Sequence, residues 1–361
     1  MFRRLVPIAA LLAACDPLAN TFEPVSAVRS DRTYAGAGKS PAAAPTGDTL
    51  NVMTWNVKFA GGRIDFWFDC FGDRNVMTRA EVDANMNGLI AKIKQSDPDV
   101  LLLQECDVGS FRVAGVDMMR RFVDETSLGY GVYASHWRSQ FIPVNNLRNM
   151  DSGNAILAKW PLTNATRYQL PLRGDADALY RQFYLKRNML VADLDVPGKR
   201  KITLVNVHTE AYAKDGTKKR HIEQFEAKVK DLAARGRVVA GGDLNSVPPG
   251  TTKVKDFPDQ VCKDPDFPPD QYGEEVEWLR DLYTTYDAAI PLADYVKDNS
   301  PWYSYTADKN GAWNRTLDHL FTNGKFKAGS GVMHQDAARG GMATLPLSDH
   351  APLSAELDLS Q

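Results

Sequence analysis

The residues of this chain that could do chemistry are scattered in sequence, but they share one kind of place: the end of a short apolar run. Asn56 lies near the end of LNVMTWNV, Glu105 closes DVLLLQE and His208 closes ITLVNVH. Asp243 and Asn245 follow RVVAGG, Asp318 lies in TLDHLF, and the pair Asp349 and His350 precedes APLSAELDL. Carboxylates, amides and histidines together form the set that binds a hard divalent cation and stabilises a phosphoryl group in transfer. Singly, each has a structural explanation: Asn56 as a loop cap, Glu105 as a solvated strand end, His208 as a satisfied buried imidazole, Asp243 as a turn residue after Gly-Gly. Their repetition favours chemistry, because strand ends along one edge of a layered sheet fold converge on a common cleft.

That reading requires the apolar runs to be strands. Residues 50–57, 100–104, 154–158, 188–194, 202–207, 238–240 and 317–321 are short, rich in β-branched residues and bounded by polar or Gly/Pro positions, as strands are. Between the first two, Thr78-Arg79-Ala80-Glu81 has capping-box spacing. Val82, Met86, Leu89, Ile90 and Ile93 then follow a helical period until Asp97-Pro98 stops it. A second amphipathic helix carries Ile222, Phe225, Val229 and Leu232 and ends near Gly236. Many strands mixed with few helices predict a layered α/β or α+β fold.

The 361 residues, 43% hydrophobic and 24% charged, have an ordinary globular composition with room for one large core. The formal net charge is −2, so a general affinity for polyanions is not expected without a local patch or a metal ion. Residues 1–14, with Arg3 and Arg4 ahead of a short apolar run, have the layout of a secretory signal and are too short to span a bilayer stably. The ending Leu12-Ala13-Ala14-Cys15 resembles the bacterial lipobox, which implies a lipidated Cys15 at the mature N-terminus. Asp16 behind it resembles an inner-membrane retention signal of some bacteria. Each acyl chain adds about 0.8 kcal/mol per buried methylene, so several chains would anchor the protein durably. Residues 15–48 read as the lipidated cysteine and a flexible linker rich in Ala, Pro, Ser, Thr and Gly, with one domain over 49–361. Cys70, Cys106 and Cys262 then allow one disulfide in an export context, and the sequence does not choose it.

TWNV, LLLQE, SGNAIL, VNVHTE, GGDLNS, TLDHLF and SDHAPL stand in the order and rough spacing of the endonuclease/exonuclease/phosphatase superfamily, which the chain resembles from about residue 50 to 358. The resemblance implies an α/β fold: a four-layer α/β-sandwich with two packed central mixed β-sheets flanked by helices. It also implies a phosphoesterase that uses Mg2+, with Mn2+ or Ca2+ as alternatives. Carried over by position, Asn56 and Glu105 would hold the metal, with Asp349 as a further ligand. Asp243 would orient or deprotonate the attacking water, and Asn245 would fix that water or a phosphate oxygen. His208 and His350 would contact the scissile phosphate, with Asp318 bonded to His350. Asn154 of SGNAIL would be substrate-binding; Arg187, before NMLVADLDV, is a substrate-binding candidate on its own account, as a source of local positive charge for a polyanion. Around Asp318 many members have an Arg two residues before and a Tyr after, whereas here Thr316 and His319 stand there and Arg315 is one residue further off.

Other features have two readings each. The aromatic segment 65–74 is a packed loop or a wall of the cleft, Lys218-Lys219-Arg220-His221 a solvated first helical turn or a basic patch, and His136-Trp137 cleft lining or packing. The expected function is a membrane-tethered phosphodiesterase or phosphatase, monomeric, in the extracytoplasmic bacterial cell envelope, acting on a small-molecule or lipid phosphoester. An exported deoxyribonuclease-like endonuclease acting on nucleic acid, and a non-catalytic binding module, are the alternatives.

Overall fold

The structure of the protein is a computed structural model that describes residues 22–69, 72–142, 146–259, 262 and 269–360. Its centre is a pair of seven-stranded sheets. The first has the order β13-β14-β3-β4-β6-β5-β2, the second β1-β7-β8-β9-β10-β12-β11. In the first sheet are β2 (Thr33–Ala35), β3 (Thr49–Asn56), β4 (Val100–Asp107), β5 (Tyr130–Ile142), β6 (Arg148–Ala158), β13 (Val332–Met333) and β14 (Leu353–Asp358). The second contains β1 (Val25–Ala27), β7 (Leu162–Gln169), β8 (Asn188–Leu194), β9 (Ile202–His208), β10 (Arg237–Asp243), β11 (Asp287–Ala288) and β12 (Asp318–Thr322). Both sheets are mixed: β3 runs parallel to β4 and β9 to β10, while their other pairings are antiparallel.

Alternation along each strand divides its side chains between layers. In β3, Leu50 and Val52 enter the core between the sheets, while Met53 and Trp55 face the helices α1 (Arg79–Ser96) and α2 (Met118–Glu125). In β9 and β10, Leu204 and Val239 join that central core, whereas Val205, Val207 and Ala240 pack on α4 (Thr217–Ala233). The short helices α3 (Ala178–Phe183), α5 (Arg280–Thr285) and α6 (Leu292–Lys297) complete the count among the described residues. The result is the four-layer α/β-sandwich that the resemblance implied. The helix over residues 79–96 starts where the sequence placed it: the Thr78 backbone donates to Glu81 Oε2 at 2.7 Å and the Thr78 hydroxyl accepts from the Glu81 backbone at 3.3 Å.

The linker expectation is corrected. Residues 22–48 are built into the domain: β1 pairs with β7, β2 pairs with β5, and Trp160 Nε1 donates to the Ala42 carbonyl at 2.9 Å. Ala/Pro/Ser-rich composition did not prevent this, because edge-strand hydrogen bonds come from the backbone and ask little of the side chains. The signal segment, Cys15 and Cys70 lie outside the described residues. Cys262 is disulfide-bonded, and Cys106 is a buried free thiol. Among the described residues no helix is long and apolar enough to cross a membrane.

Candidate active site

Strand ends from both sheets meet at one edge. In the second sheet Asp243 is level with His208 on one side and Asp318 on the other, so register alone places three functional groups side by side. In the first, Asn56 ends β3 opposite Gln104, and the next residue, Glu105, lies in a bulge of β4 with a φ of 55°. That left-handed backbone, uncommon for a residue with a Cβ, marks where β4 breaks register beside the cleft.

Gly242, just before Asp243, shows how tightly this corner is built. Its φ is +135°, and a Cβ there would lie 2.0 Å from the Val207 carbonyl oxygen. Gly242→Ala is therefore expected to cost more than about 3 kcal/mol of stability, since neither strand can retreat from a backbone clash. A urea midpoint unchanged from the parent would contradict this packing.

Asp243 is the hub. Its Oδ2 accepts from Asn56 Nδ2 at 3.0 Å and lies 3.3 Å from His208 Nε2 and 3.6 Å from His350 Nε2. Its Oδ1 accepts from the Asn245 backbone N–H at 2.9 Å. Burial raises the Asp243 carboxyl to about 6, helped by the Asp318 charge and opposed by His350. His350 Nδ1 is 2.8 Å from Asp318 Oδ2. Burial alone would lower its imidazole, but Asp318 and Asp243 more than offset this and hold it up at about 10, so it is protonated at neutral pH. His208 goes the other way: burial first, then Arg187 and His136, push it well below the usual range, leaving a neutral ring.

The loop after Asp243 is clamped. Asn245 has a φ of 47°, its amide donates to the Thr209 carbonyl at 3.3 Å, and its own carbonyl accepts from Lys218 Nζ at 2.9 Å. Lys218 also pairs with Glu275 at 2.7 Å, and Arg220 pairs with Asp215 at 3.1 Å. Of the 218–221 run, Lys218 thus braces this loop from a buried position, while Lys219 and Arg220 are exposed at the start of α4. His319, standing where many relatives of the motif carry Tyr, meets the Tyr283 hydroxyl at 3.0 Å and the Ser246 carbonyl at 2.9 Å. Arg315 is buried between Asp259 and Asp270, 4.4 Å from the Tyr305 ring centroid, and Tyr305 in turn packs on His350.

The proposed metal ligands are part of the same cleft. Glu105 Oε1 accepts from Asn56 Nδ2 at 3.2 Å and lies 4.0 Å from Nε2 of the neutral His208. Burial and the neighbouring Asp349 charge raise the Glu105 carboxyl. A carboxylate held near another without a close counter-charge fits a divalent cation, as does Asp318 Oδ1, which is buried with no partner. Asp243, Asp318 and His350 also offer atoms within 4.8 Å of one another. Asn56 turns its Nδ2 toward the carboxylates, so in this structure it bridges them. Asp349 Oδ2 is 3.6 Å from Lys58 Nζ, which also meets Asp69 at 3.2 Å. Against the burial that would raise it, Lys58, His350 and Arg63 hold the Asp349 carboxyl below its ordinary value. Asp69 therefore latches residues 65–69 to the site, with Phe66 and Phe68 stacked at 5.6 Å.

Arg187 is 5% exposed, its Nε has no hydrogen-bond partner, and no ion pair joins it to a carboxylate among the described residues. A buried, unpaired guanidinium is costly unless an anion comes to it. His136 is buried with its ring 6.0 Å from that of His208. Asn154 is buried: its amide donates to the Asn188 carbonyl at 2.9 Å across the sheets, and its Oδ1 has no partner among the described residues. It belongs to a buried polar seam behind the site, where Gln104 Nε2 donates to Asn206 Oδ1 at 2.6 Å and Asn206 Nδ2 to the Leu103 and Ala155 carbonyls at 2.8 and 2.7 Å. Sequence reasoning missed Lys58, the bracing contact of Lys218 and the seam through Gln104 and Asn206. For Asn206 a signal existed: a polar residue at an inward position of a strand, in step with Leu204.

The model of the endonuclease/exonuclease/phosphatase family matches residues 53–350, a span containing every one of these groups. The chain belongs to that family. Phosphoester hydrolysis is the chemistry common to it. Among solved structures, an endonuclease/exonuclease/phosphatase from Beutenbergia cavernae DSM 12333 is similar at a TM-score of 0.58 and 19% identity, covering 87% of this chain and 72% of that one. A conserved protein of unknown function from Enterococcus faecalis V583 is similar at 0.53 and 13%, covering 85% and 99%. These likenesses show the shared fold. No curated protein matches the chain.

Proposed function

We propose that the protein is a divalent-metal-dependent phosphoester hydrolase, held at the outside of a bacterial membrane by a lipid on Cys15 and acting on a lipid-borne or small phosphoester. The observation that carries this reading is the arrangement around Asp243: a proton acceptor within reach of a protonated His350, a neutral His208 and an unpaired Arg187 in one cleft. In such a site the water oxygen forms the new P–O bond and gives its proton to Asp243 as the bond to the leaving oxygen breaks. His350 and Arg187 hold the phosphoryl oxygens, whose charge needs positive partners in the transition state. Asp318 keeps the His350 proton in place, and Asn245 positions the water. Glu105, with Asn56 and Asp349 beside it, would hold the cation, which when bound supplies further positive charge to those oxygens.

The chain from residue 15, carrying Cys15→Ser, is expected to hydrolyse bis-p-nitrophenyl phosphate and a phospholipid such as sphingomyelin with Mg2+ and to lose all turnover in EDTA. Silence toward these and toward inositol polyphosphates and plasmid DNA would refute the reading. Cleavage of DNA alone, falling steeply with salt as phosphate contacts are screened, would replace it by the nuclease.

A further inference from the structure

Large apolar side chains are seldom left exposed in a cluster unless something covers them. Beside Val296 of α6, six large apolar side chains are exposed among the described residues: Val25, Trp67, Phe141, Leu172, Tyr180 and Tyr212, Phe141 by 52% and Tyr212 by 65%. Their places in the fold coincide. Trp67 is in the loop after β3, Phe141 is at the end of β5, Leu172 and Tyr180 are in the connection from β7 to β8, and Tyr212 follows β9. Val25 begins β1, opposite Tyr168 near the end of β7. Every one of these points is at the edge where Asn56, Glu105, His208 and Asp243 end their strands. The cleft thus opens within a rim of apolar and aromatic side chains.

The N-terminus supplies an independent observation. The described chain begins at that same edge: Phe22 lies against Arg167 with the guanidinium 4.1 Å from its ring centroid, and the Pro24 carbonyl accepts from the Gln169 backbone at 2.8 Å. Cys15 precedes Phe22 by seven residues. Seven fully extended residues reach about 25 Å, less than the length of the longest strands, β5 with 13 residues and β6 with 11, so a lipid on Cys15 tethers this edge more closely to a bilayer than the opposite one.

We infer that the catalytic edge is a docking surface for a phospholipid bilayer, with the aromatic rim in the headgroup zone and the cleft opening onto the membrane surface. This rests on the lipid anchor of the proposed function. Tyr, Trp, Phe and Leu are the side chains that favour such an interface. The rim charges are mixed, with Arg138, Arg181 and Lys214 set against Asp65, Asp73 and Asp177. Binding therefore depends on apolar contact and persists in salt, unlike the binding of a nucleic acid.

The test uses the chain from residue 15 with Cys15→Ser, so that no lipid contributes, sedimented with vesicles of phosphatidylethanolamine and phosphatidylglycerol. The parent is expected to bind at low and high salt, and the double variant Phe141→Ser, Leu172→Ser to bind about tenfold more weakly, the scale set by two partly buried apolar side chains. Arg200→Ser, in the β8–β9 turn at the opposite edge, serves as the control and should bind as the parent does. Turnover of bis-p-nitrophenyl phosphate, read in parallel, should be equal in all. Vesicle binding that survives the double variant, that Arg200→Ser weakens equally, or that salt abolishes in favour of single-stranded DNA overturns the docking surface. Failure of the soluble diester alone would count against the hydrolase and leave the vesicle result readable.

Discussion

Asp243→Asn is expected to lower turnover by about a thousandfold or more while leaving substrate binding and the fold in place. The amide has the volume of the carboxylate, so the corner between β9 and β12 stays filled. What disappears is the group that takes the proton from water, and with it one of the three carboxylates, Asp318, Asp243 and Asp349, that keep His350 protonated. The new amide also puts a donor against Asn56 Nδ2 or His350 Nε2, both of which already point donors at this position. The parent should carry a matching signature in its pH profile. Because burial raises Asp243 to about 6, the acceptor is charged above that pH and protonated below it, so the rate is lost as pH falls through about 6 instead of near 4, where an exposed Asp would titrate. Single-turnover rates across pH decide the matter: a variant within tenfold of the parent, or one with the same acid limb, removes Asp243 from the reaction.

Glu105→Gln should cost about a hundredfold or more in turnover and weaken Mg2+ binding at least tenfold. Its effect on stability separates a metal ligand from a structural residue. Without metal, the ionised Glu105 is penalised by burial and by the Asp349 charge, which is why its carboxyl titrates high. Its charge thus opposes folding once pH is above the raised value, and the neutral amide should leave the metal-free Tm equal or higher. In the parent, Mg2+ that binds the folded state alone must raise Tm by mass action, and the variant should lose most of that rise. A parent whose Tm ignores Mg2+, or a variant that keeps both the rise and the rate, would take the cation away from Glu105.

The elements legible in the sequence were those whose signals are local. The helix over residues 79–96 announces itself by the Thr78–Glu81 box and its apolar period, and the strands of the two sheet centres by short β-branched runs. Strands β5 and β7 did not, because they are partly polar and owe their conformation to neighbours: β5 lies between β6 and β2, β7 between β8 and β1. The same holds for residues 22–48, whose composition suggests a linker and whose backbone is captured by two sheet edges.

For the site, the sequence by itself determined which side chains end the strands and that they suit a phosphoester and a hard cation, since residue type and strand periodicity are properties of the chain alone. Only the tertiary structure decided their partners. It put Asp243 level with His208 and Asp318, tied Asn154 to Asn188, drew Lys218 onto Asn245 and Lys58 onto Asp349, and left Arg187 without an ion pair among the described residues. These outcomes depend on the register between strands far apart in sequence and on which buried charge finds a counter-charge. Both are set by packing across the two sheets, which no local pattern of residues encodes.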